Sequence, residues 1–229
     1  MAYEQLEQVL GMHFQHPELL SLALTHRSYI YETPGAGQSS NERLEFLGDS
    51  ILAFISADFL YRTFPDLTEG ELTDVRAVLV RTETLANFAR EIELGNYLRM
   101  GKGDQTASSG QRVLASAFEA LLGAIYLDQG LTTVQQFLFP RLEPLARNSV
   151  TKRLFKDNKS LFQELAQAHE SITPSYRLVS QEGPSHNRVF TVEVLLGNQV
   201  AGTGHGRNKQ TAEQEAAHAA LLNRGWIER

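Results

Sequence analysis

The segment NERLEFLGDS, residues 41–50, carries three carboxylates at spacings of three and four residues. In a helix, Glu42, Glu45 and Asp49 would share one face, with the apolar residues of the segment opposite them. Like charges at these spacings repel one another by about 0.2–0.5 kcal/mol per pair. A solvated polar face is one interpretation of this pattern, and a ligand set for a cation is the other.

A second acid stands in a very different setting. The segment VLASAFEALLGAIYL, residues 113–127, is apolar on nearly every side, and Glu119 is its only charged residue. This pattern predicts a buried helix, in which a carboxylate must be protonated, paired or bound to a metal. A hard cation bound between Glu119 and the acidic face of residues 42–49 would compensate the buried carboxylate. Because all the ligands are oxygens, Mg²⁺ or Mn²⁺ would suit the site. An ion pair with Arg76 or Arg81 is the alternative, and spacing alone favours neither.

Composition limits the classes of protein to which the chain can belong. The 229 residues are 42% hydrophobic and include no cysteine, which excludes disulfides and thiolate chemistry. Because no apolar run is long enough to span a membrane and the first residues lack the basic character of a signal peptide, we expect a cytoplasmic protein without a membrane partner. The net charge of −6 is uneven: residues 1–150 carry 11 basic and 19 acidic residues, and the remainder carry 10 and 8. An anion-binding surface is therefore expected in the second part.

Periodicity divides the chain at the same place. Residues 1–147 show helical spacing throughout, residues 148–156 are a polar, basic linker, and residues 157–227 have the order α-β-β-β-α. The glycine-rich GTGHG at 202–206 has neither the lysine nor the flanking elements of a phosphate loop, so it is interpreted as a turn before a helix. No nucleotide cofactor is expected.

Several blocks resemble, in order, those of the ribonuclease III family: ALTHRSY, NERLEFLGDS, EGELTDVRAVLVRTETLA, GKGD and AFEALLGAIYLD. The C-terminal part is similar to a double-stranded RNA-binding domain, particularly in GPSH and GHGRNKQTAEQEAA. The resemblance implies an all-α endonuclease domain with the ribonuclease III fold, followed by a small α+β RNA-binding domain. It also implies that the chain cleaves double-stranded RNA with the help of Mg²⁺, for which Mn²⁺ can substitute.

The resemblance also implies roles for particular residues. Asp49 and Glu119 match the family's catalytic acids, and Glu45 matches a further metal ligand. Supporting acidic positions match Glu42, Glu69 and Asp104. Phe46 matches an aromatic residue of the family's homodimer contact. The resemblance implies that such a dimer cuts both strands of a duplex, leaving 5′-phosphate and 3′-hydroxyl ends with short 3′ overhangs. It also implies a role in the processing and decay of rRNA and mRNA. RNA-binding positions match Gln163, Glu164, His186 and Lys209.

One position departs from the family pattern. The family normally has an aspartate three residues before the acid that matches Glu119, and this chain has Ser116. A hydroxyl carries no charge and ligates Mg²⁺ weakly, so the predicted site has one negative charge fewer. Either the enzyme works with three strong ligands, or the chain is a double-stranded RNA-binding protein with weak or absent cleavage.

Overall fold

The chain forms two compact units, Met1–Phe155 and Lys156–Arg229. A computed structural model describes residues 3–32, 39–103, 109–151, 157–184 and 188–227. Asp104 and His186 therefore lie outside the described residues. None of the helices in these ranges has the length and apolar content that a bilayer crossing requires.

The first unit is helical, as predicted. Its helices are α1 (Glu4–Leu10), α2 (Pro17–Ala23), α3 (Arg27–Glu32), α4 (Glu42–Thr63), α5 (Glu69–Val80), α6 (Thr82–Glu91) and α7 (Gln111–Thr151), with a short 3₁₀ turn at Leu94–Tyr97. The capping box of Thr68 and Glu71 begins α5. Gly130, with φ of 82°, interrupts α7. Apolar side chains of α1, α2 and α4 to α7 form one core, in which Leu52, Phe88 and Phe118 are buried.

The buried face of α4 is wider than the stripe of Leu44, Leu47, Ile51 and Ile55 predicts. Gly48, Leu52 and Ser56 are buried together with Leu44 and Ile51. On the helical wheel, these additional residues extend the buried sector to about 320°, next to the angles of the acidic side chains. The carboxylates therefore lie at the margin of the core face, and the prediction that they lie opposite the core was wrong.

The end of the first unit also differs from prediction. Helix α7 continues to Thr151, and Ser149 within its last turn is fully buried. Residues 148–151 are thus helical, although the polar sequence predicted that a linker begins at 148. The remaining linker residues, 152–156, lie outside the described residues.

The second unit has the predicted order of elements. Helix α8 (Asn158–Glu170) is followed by β1 (Ser175–Glu182), β2 (Val189–Leu196), β3 (Gln199–Gly206) and α9 (Lys209–Asn223). The strands form an antiparallel sheet in the order β1-β2-β3, and apolar residues of the helices and the sheet form a separate core around Phe162. GTGHG lies within β3, so the prediction of a turn there was wrong.

Candidate active site and RNA-binding surface

Helices α4 and α7 cross at two glycines. A Cβ atom added to Gly48 would lie 1.8 Å from the carbonyl oxygen of Glu119, and one added to Gly123 would lie 2.4 Å from that of Leu44. The two backbones are therefore in direct contact, which only glycine permits. This crossing brings Glu119 of α7 to the acidic margin of α4.

Three carboxylates lie near enough to one another around the crossing to influence each other's charge. Glu45 and Glu119 are half-buried and Asp49 is exposed. The pKa of Glu119 is raised from its ordinary 4.5 to about 7, chiefly by burial and then by the negative charges of Asp49 and Glu45. Within the described residues, no cation lies within 4.0 Å of Glu119, and Arg81 pairs with Glu83 at 3.4 Å. The ion pair considered as an alternative for Glu119 is therefore not formed with Arg81.

The donor set fits a hard divalent cation in chemistry and charge. Three carboxylates from two helices repel one another, and a cation between them would relieve that repulsion. Among the described residues, however, no three Asp, Glu or His side chains are close enough to hold one ion as they stand. Ser116 is half-buried on α7, one turn before Glu119, and adds no charge. The metal-ligand roles of these residues thus stay predictions.

The supporting acids are distributed more widely. Glu42 is exposed, lies 3.7 Å from the guanidinium of Arg27 and accepts a 2.7 Å hydrogen bond from Ser40. Glu69 lies on the wall of a separate groove between α4 and α5, which is also lined by Phe54 and Tyr61. The fold does not bring Glu69 into the carboxylate cluster of its own chain.

Sequence reasoning missed Glu32, which ends α3. Its carboxylate accepts hydrogen bonds from the backbone N–H groups of Lys102, at 2.7 Å, and Gly103, at 3.4 Å. The hydroxyl of Ser28 accepts a third from Gly101 at 3.0 Å. These bonds fix residues 101–103 of the GKGD block. No sequence pattern indicates them, because the partners are about seventy residues apart along the chain.

An aromatic side chain stands beside the cluster. Phe46 is 78% exposed, and two other aromatic residues of α4, Phe54 and Tyr61, are 56% and 74% exposed. Their spacings place all three rings within a sector of about 80° on the helical wheel. An exposed apolar stripe of this kind is typical of an interaction surface.

In the second unit, Gln163 and Glu164 are exposed and line one groove on α8. Lys209 is exposed at the first position of α9, where Asn208 caps the helix by accepting a 2.8 Å bond from the N–H of Thr211. The ammonium of Lys209 lies 3.8 Å from the carboxylate of Glu213. A lysine at a helix N-terminus provides positive charge where phosphate binds readily.

The carboxylate of Glu213 also connects the two helices of this unit. It accepts a 2.7 Å hydrogen bond from the ammonium of Lys159 on α8. The carboxylate of Asp157, which caps α8, accepts a further bond from Gln214 of α9 at 2.8 Å. The helices that carry Gln163 and Lys209 are thereby fixed to each other.

Comparison with known proteins shows which family each unit resembles. A family model described as ribonuclease-III-like matches residues 16–144, and the double-stranded RNA binding motif matches residues 158–224. "Ribonuclease 3" of Oceanobacillus iheyensis is 45% identical over 227 residues, covering 96% of this chain and 97% of that protein. "Ribonuclease 3" of Dehalococcoides mccartyi strain CBDB1 is 43% identical over 219 residues, covering 95% and 92%.

A solved structure of the same family resembles this chain. The nuclease domain of ribonuclease III from Campylobacter jejuni superposes with a TM-score of 0.57 at 33% identity, covering 62% of this chain and 96% of that one. The match in sequence thus extends over nearly the whole chain, and the match in structure covers the helical unit. The chain belongs to the ribonuclease III family and is an endoribonuclease that acts on double-stranded RNA.

Proposed function

We propose that the chain hydrolyses phosphodiester bonds of double-stranded RNA at the α4–α7 crossing, with Asp49 and Glu119 as catalytic acids and Glu45 as a further metal ligand. The observation that carries this proposal is the glycine crossing of α4 and α7, which brings the half-buried Glu119 near Asp49 and Glu45 and so raises its pKa. Carboxylates brought near one another beside a half-buried helix face are costly, and a bound cation would relieve that cost. Oxygen ligands favour Mg²⁺, with Mn²⁺ able to substitute.

A divalent ion bound there would supply an acidified water for attack and positive charge for the phosphate. The residues of this chain have complementary tasks. The exposed Asp49 would face the substrate, while the half-buried Glu45 and Glu119 would hold the inner side of the ion. In-line attack at phosphorus expels the 3′ oxygen, which gives 5′-phosphate and 3′-hydroxyl ends. Glu42 would add negative charge beside the site; supporting roles for Glu69, which lies in a separate groove, and for Asp104 stay predictions.

RNA is held by the second unit. Gln163 and Glu164 offer hydrogen-bonding groups to 2′-hydroxyls in the wide minor groove, and Lys209 and His186 contact phosphates. Shape and backbone contacts of this kind give affinity with little dependence on base sequence. Processing and decay of rRNA and mRNA in the cytoplasm stay predictions.

We also propose a homodimer in which Phe46 is a contact residue. The exposed ring lies beside the catalytic cluster, on a stripe with Phe54 and Tyr61. The solved nuclease domain from Campylobacter jejuni has a region involved in dimer formation. Two sites related by a twofold axis would cut both strands of a duplex and leave short 3′ overhangs.

Ser116 favours a second candidate function. With a hydroxyl in place of a carboxylate, the cluster binds divalent ions less strongly, and the chain would then bind double-stranded RNA while cleaving it slowly or not at all.

Incubation of a long RNA duplex with Mg²⁺ or Mn²⁺ distinguishes the two functions. The parent and Glu119→Ala are compared side by side, and duplex binding is measured for both. Cleavage by the parent alone, with equal binding, supports the nuclease. Equal binding without cleavage by either protein supports the second candidate.

A further inference from the structure

We infer that Asn41 is a positioning residue for the carboxylate cluster. Its buried side chain fixes the first turn of α4, from which Glu42 and Glu45 project. The inference rests on the proposed function, because the cluster matters for catalysis only if it holds a cation. It concerns a residue that touches neither the substrate nor the metal.

The contacts of Asn41 differ from those usual for its position. An asparagine just before a helix normally accepts a hydrogen bond from an N–H group of the first turn. Asn41 makes no such bond. It is only 4% exposed, and its side-chain nitrogen instead donates to the carbonyl oxygen of Ala23 at 3.1 Å. Ala23 ends α2, so Asn41 satisfies a carbonyl that the helix leaves without a partner.

The backbone of Asn41 strengthens the same connection. Its N–H donates to the carbonyl oxygen of Thr25 at 2.9 Å, and its own carbonyl accepts the N–H of Glu45 at 2.9 Å. The residues on either side of Thr25 are fixed in turn, because His26 donates to Arg99 at 3.0 Å and Arg99 donates to Leu24 at 2.8 Å. Asn41 thus attaches the start of α4 to a segment that is itself bound on its other side.

A second anchor of α4 lies at the glycine crossing. Gly48 is seven residues after Asn41, which corresponds to about 10 Å along the helix axis. Glu45 lies between these two anchors. No side chain caps the first turn of α4, so the hydrogen bonds of Asn41 contribute to its order. The backbone contact of Leu44 with Gly123 holds the same turn from the side of α7. Without the bond to Ala23, the turn should fray and the mean separation of Glu45 from Glu119 should increase.

The test compares Asn41→Leu with a matched control. Leucine has the branching of asparagine but bulkier ends, so it removes the hydrogen bond without leaving a cavity. The control is Thr84→Val on α6, which also removes one bond from a 4% exposed side chain to a carbonyl, that of Val78 at 2.7 Å. Both variants should lose a few degrees of Tm. If Asn41→Leu does not fold, Asn41→Ala replaces it.

Two measurements on the full chain without RNA decide the outcome. Binding of Mn²⁺ alone, followed by electron paramagnetic resonance, should weaken about tenfold in Asn41→Leu and not in Thr84→Val. Amide hydrogen exchange of Glu45 should accelerate in Asn41→Leu beyond the change that Thr84→Val shows. Equal Mn²⁺ affinity and equal exchange in the two variants would overturn the inference.

A further variant separates this inference from the proposed function. Glu119→Ala should abolish the Mn²⁺ site. If Mn²⁺ binds Glu119→Ala as tightly as the parent, the proposed function fails. The exchange of Glu45 then decides the role of Asn41 by itself: accelerated exchange supports the positioning of α4, and unchanged exchange overturns it.

Discussion

Replacing Gly48 with alanine should separate the two helices that hold the carboxylates. The added Cβ would lie 1.8 Å from the carbonyl oxygen of Glu119, whereas real Cβ atoms essentially never approach closer than 3.0 Å. The difference requires a local shift of about 1.2 Å between α4 and α7. Neither atom of the clash belongs to a flexible side chain, so the backbone itself must move.

The shift has consequences for stability and for catalysis. Overpacking of this kind costs about 1–3 kcal/mol of unfolding free energy, offset in part by the better helix propensity of alanine. A misplacement of about 1 Å at a catalytic group lowers the rate by about 100-fold. Gly48→Ala should therefore lose far more activity than stability at a temperature where it remains folded.

Two further glycines make the prediction quantitative. Gly123→Ala would place its Cβ 2.4 Å from the carbonyl oxygen of Leu44, which requires a shift of only about 0.6 Å and should reduce the rate less. Gly70→Ala on α5 is the control, because its Cβ meets nothing within 4 Å. It should leave the rate unchanged and the stability equal or slightly higher. Duplex RNA cleavage under single-turnover conditions and thermal unfolding measure these effects. Parental cleavage by Gly48→Ala would refute the reasoning.

Four other changes test separate parts of the proposal. Since the pKa of Glu119 is about 7 when folded and 4.5 ordinarily, its ionisation destabilises the folded state as pH rises from 4.5 through 7. Without metal, Glu119→Gln should therefore have a higher free energy of unfolding than the parent by ~1–2 kcal/mol at pH 8, a value reduced for the partial exposure of the side chain. At pH 4 the two proteins should be equally stable. Urea unfolding at both pH values measures this, and an equal difference at pH 4 and pH 8 would contradict it. Ser116→Asp should raise cleavage at low Mg²⁺, and unchanged or weaker cleavage would show that the missing ligand is not limiting. Phe46→Asp should shift the chain toward monomer in sedimentation velocity, whereas an unchanged distribution would exclude the ring from the contact. Lys209→Ala should weaken duplex binding and reduce the slope of log K against log salt concentration by about 1; an unchanged slope would mean that Lys209 meets no phosphate.

The sequence predicted the elements better than the contacts between them. Helical periodicity and the appearance of strand-rich segments after residue 170 gave the order of elements correctly, because both signals depend on local spacing. The acidic side of α4 was misplaced relative to the core. Glycine and serine at positions 48 and 56 do not register as core residues by hydropathy, yet both are buried where a neighbouring helix approaches.

The hydrogen bonds that fix the site had no signal in the sequence. Asn41 reaches Ala23, 18 residues away, and Glu32 reaches Lys102, 70 residues away. Each bond joins a side chain to a backbone group, and a backbone group has no residue identity that a pattern could reveal. Polar residues in such positions look like ordinary helix ends until the fold brings their partners near.

The way in which the carboxylates are held agrees with a cation-binding role. Glu45 and Glu119 are positioned through their backbones, by Asn41 at the start of α4 and by the glycines at the crossing with α7. An ion pair would have fixed these side chains as well, but it would also have neutralised the charge that attracts a metal. Glu42 has such a pair with Arg27, and it lies at the exposed edge of the acidic face. Positioning through the backbone leaves the side chains of Glu45 and Glu119 near each other and able to turn toward an ion. The resulting repulsion is the force that Mg²⁺ binding would relieve.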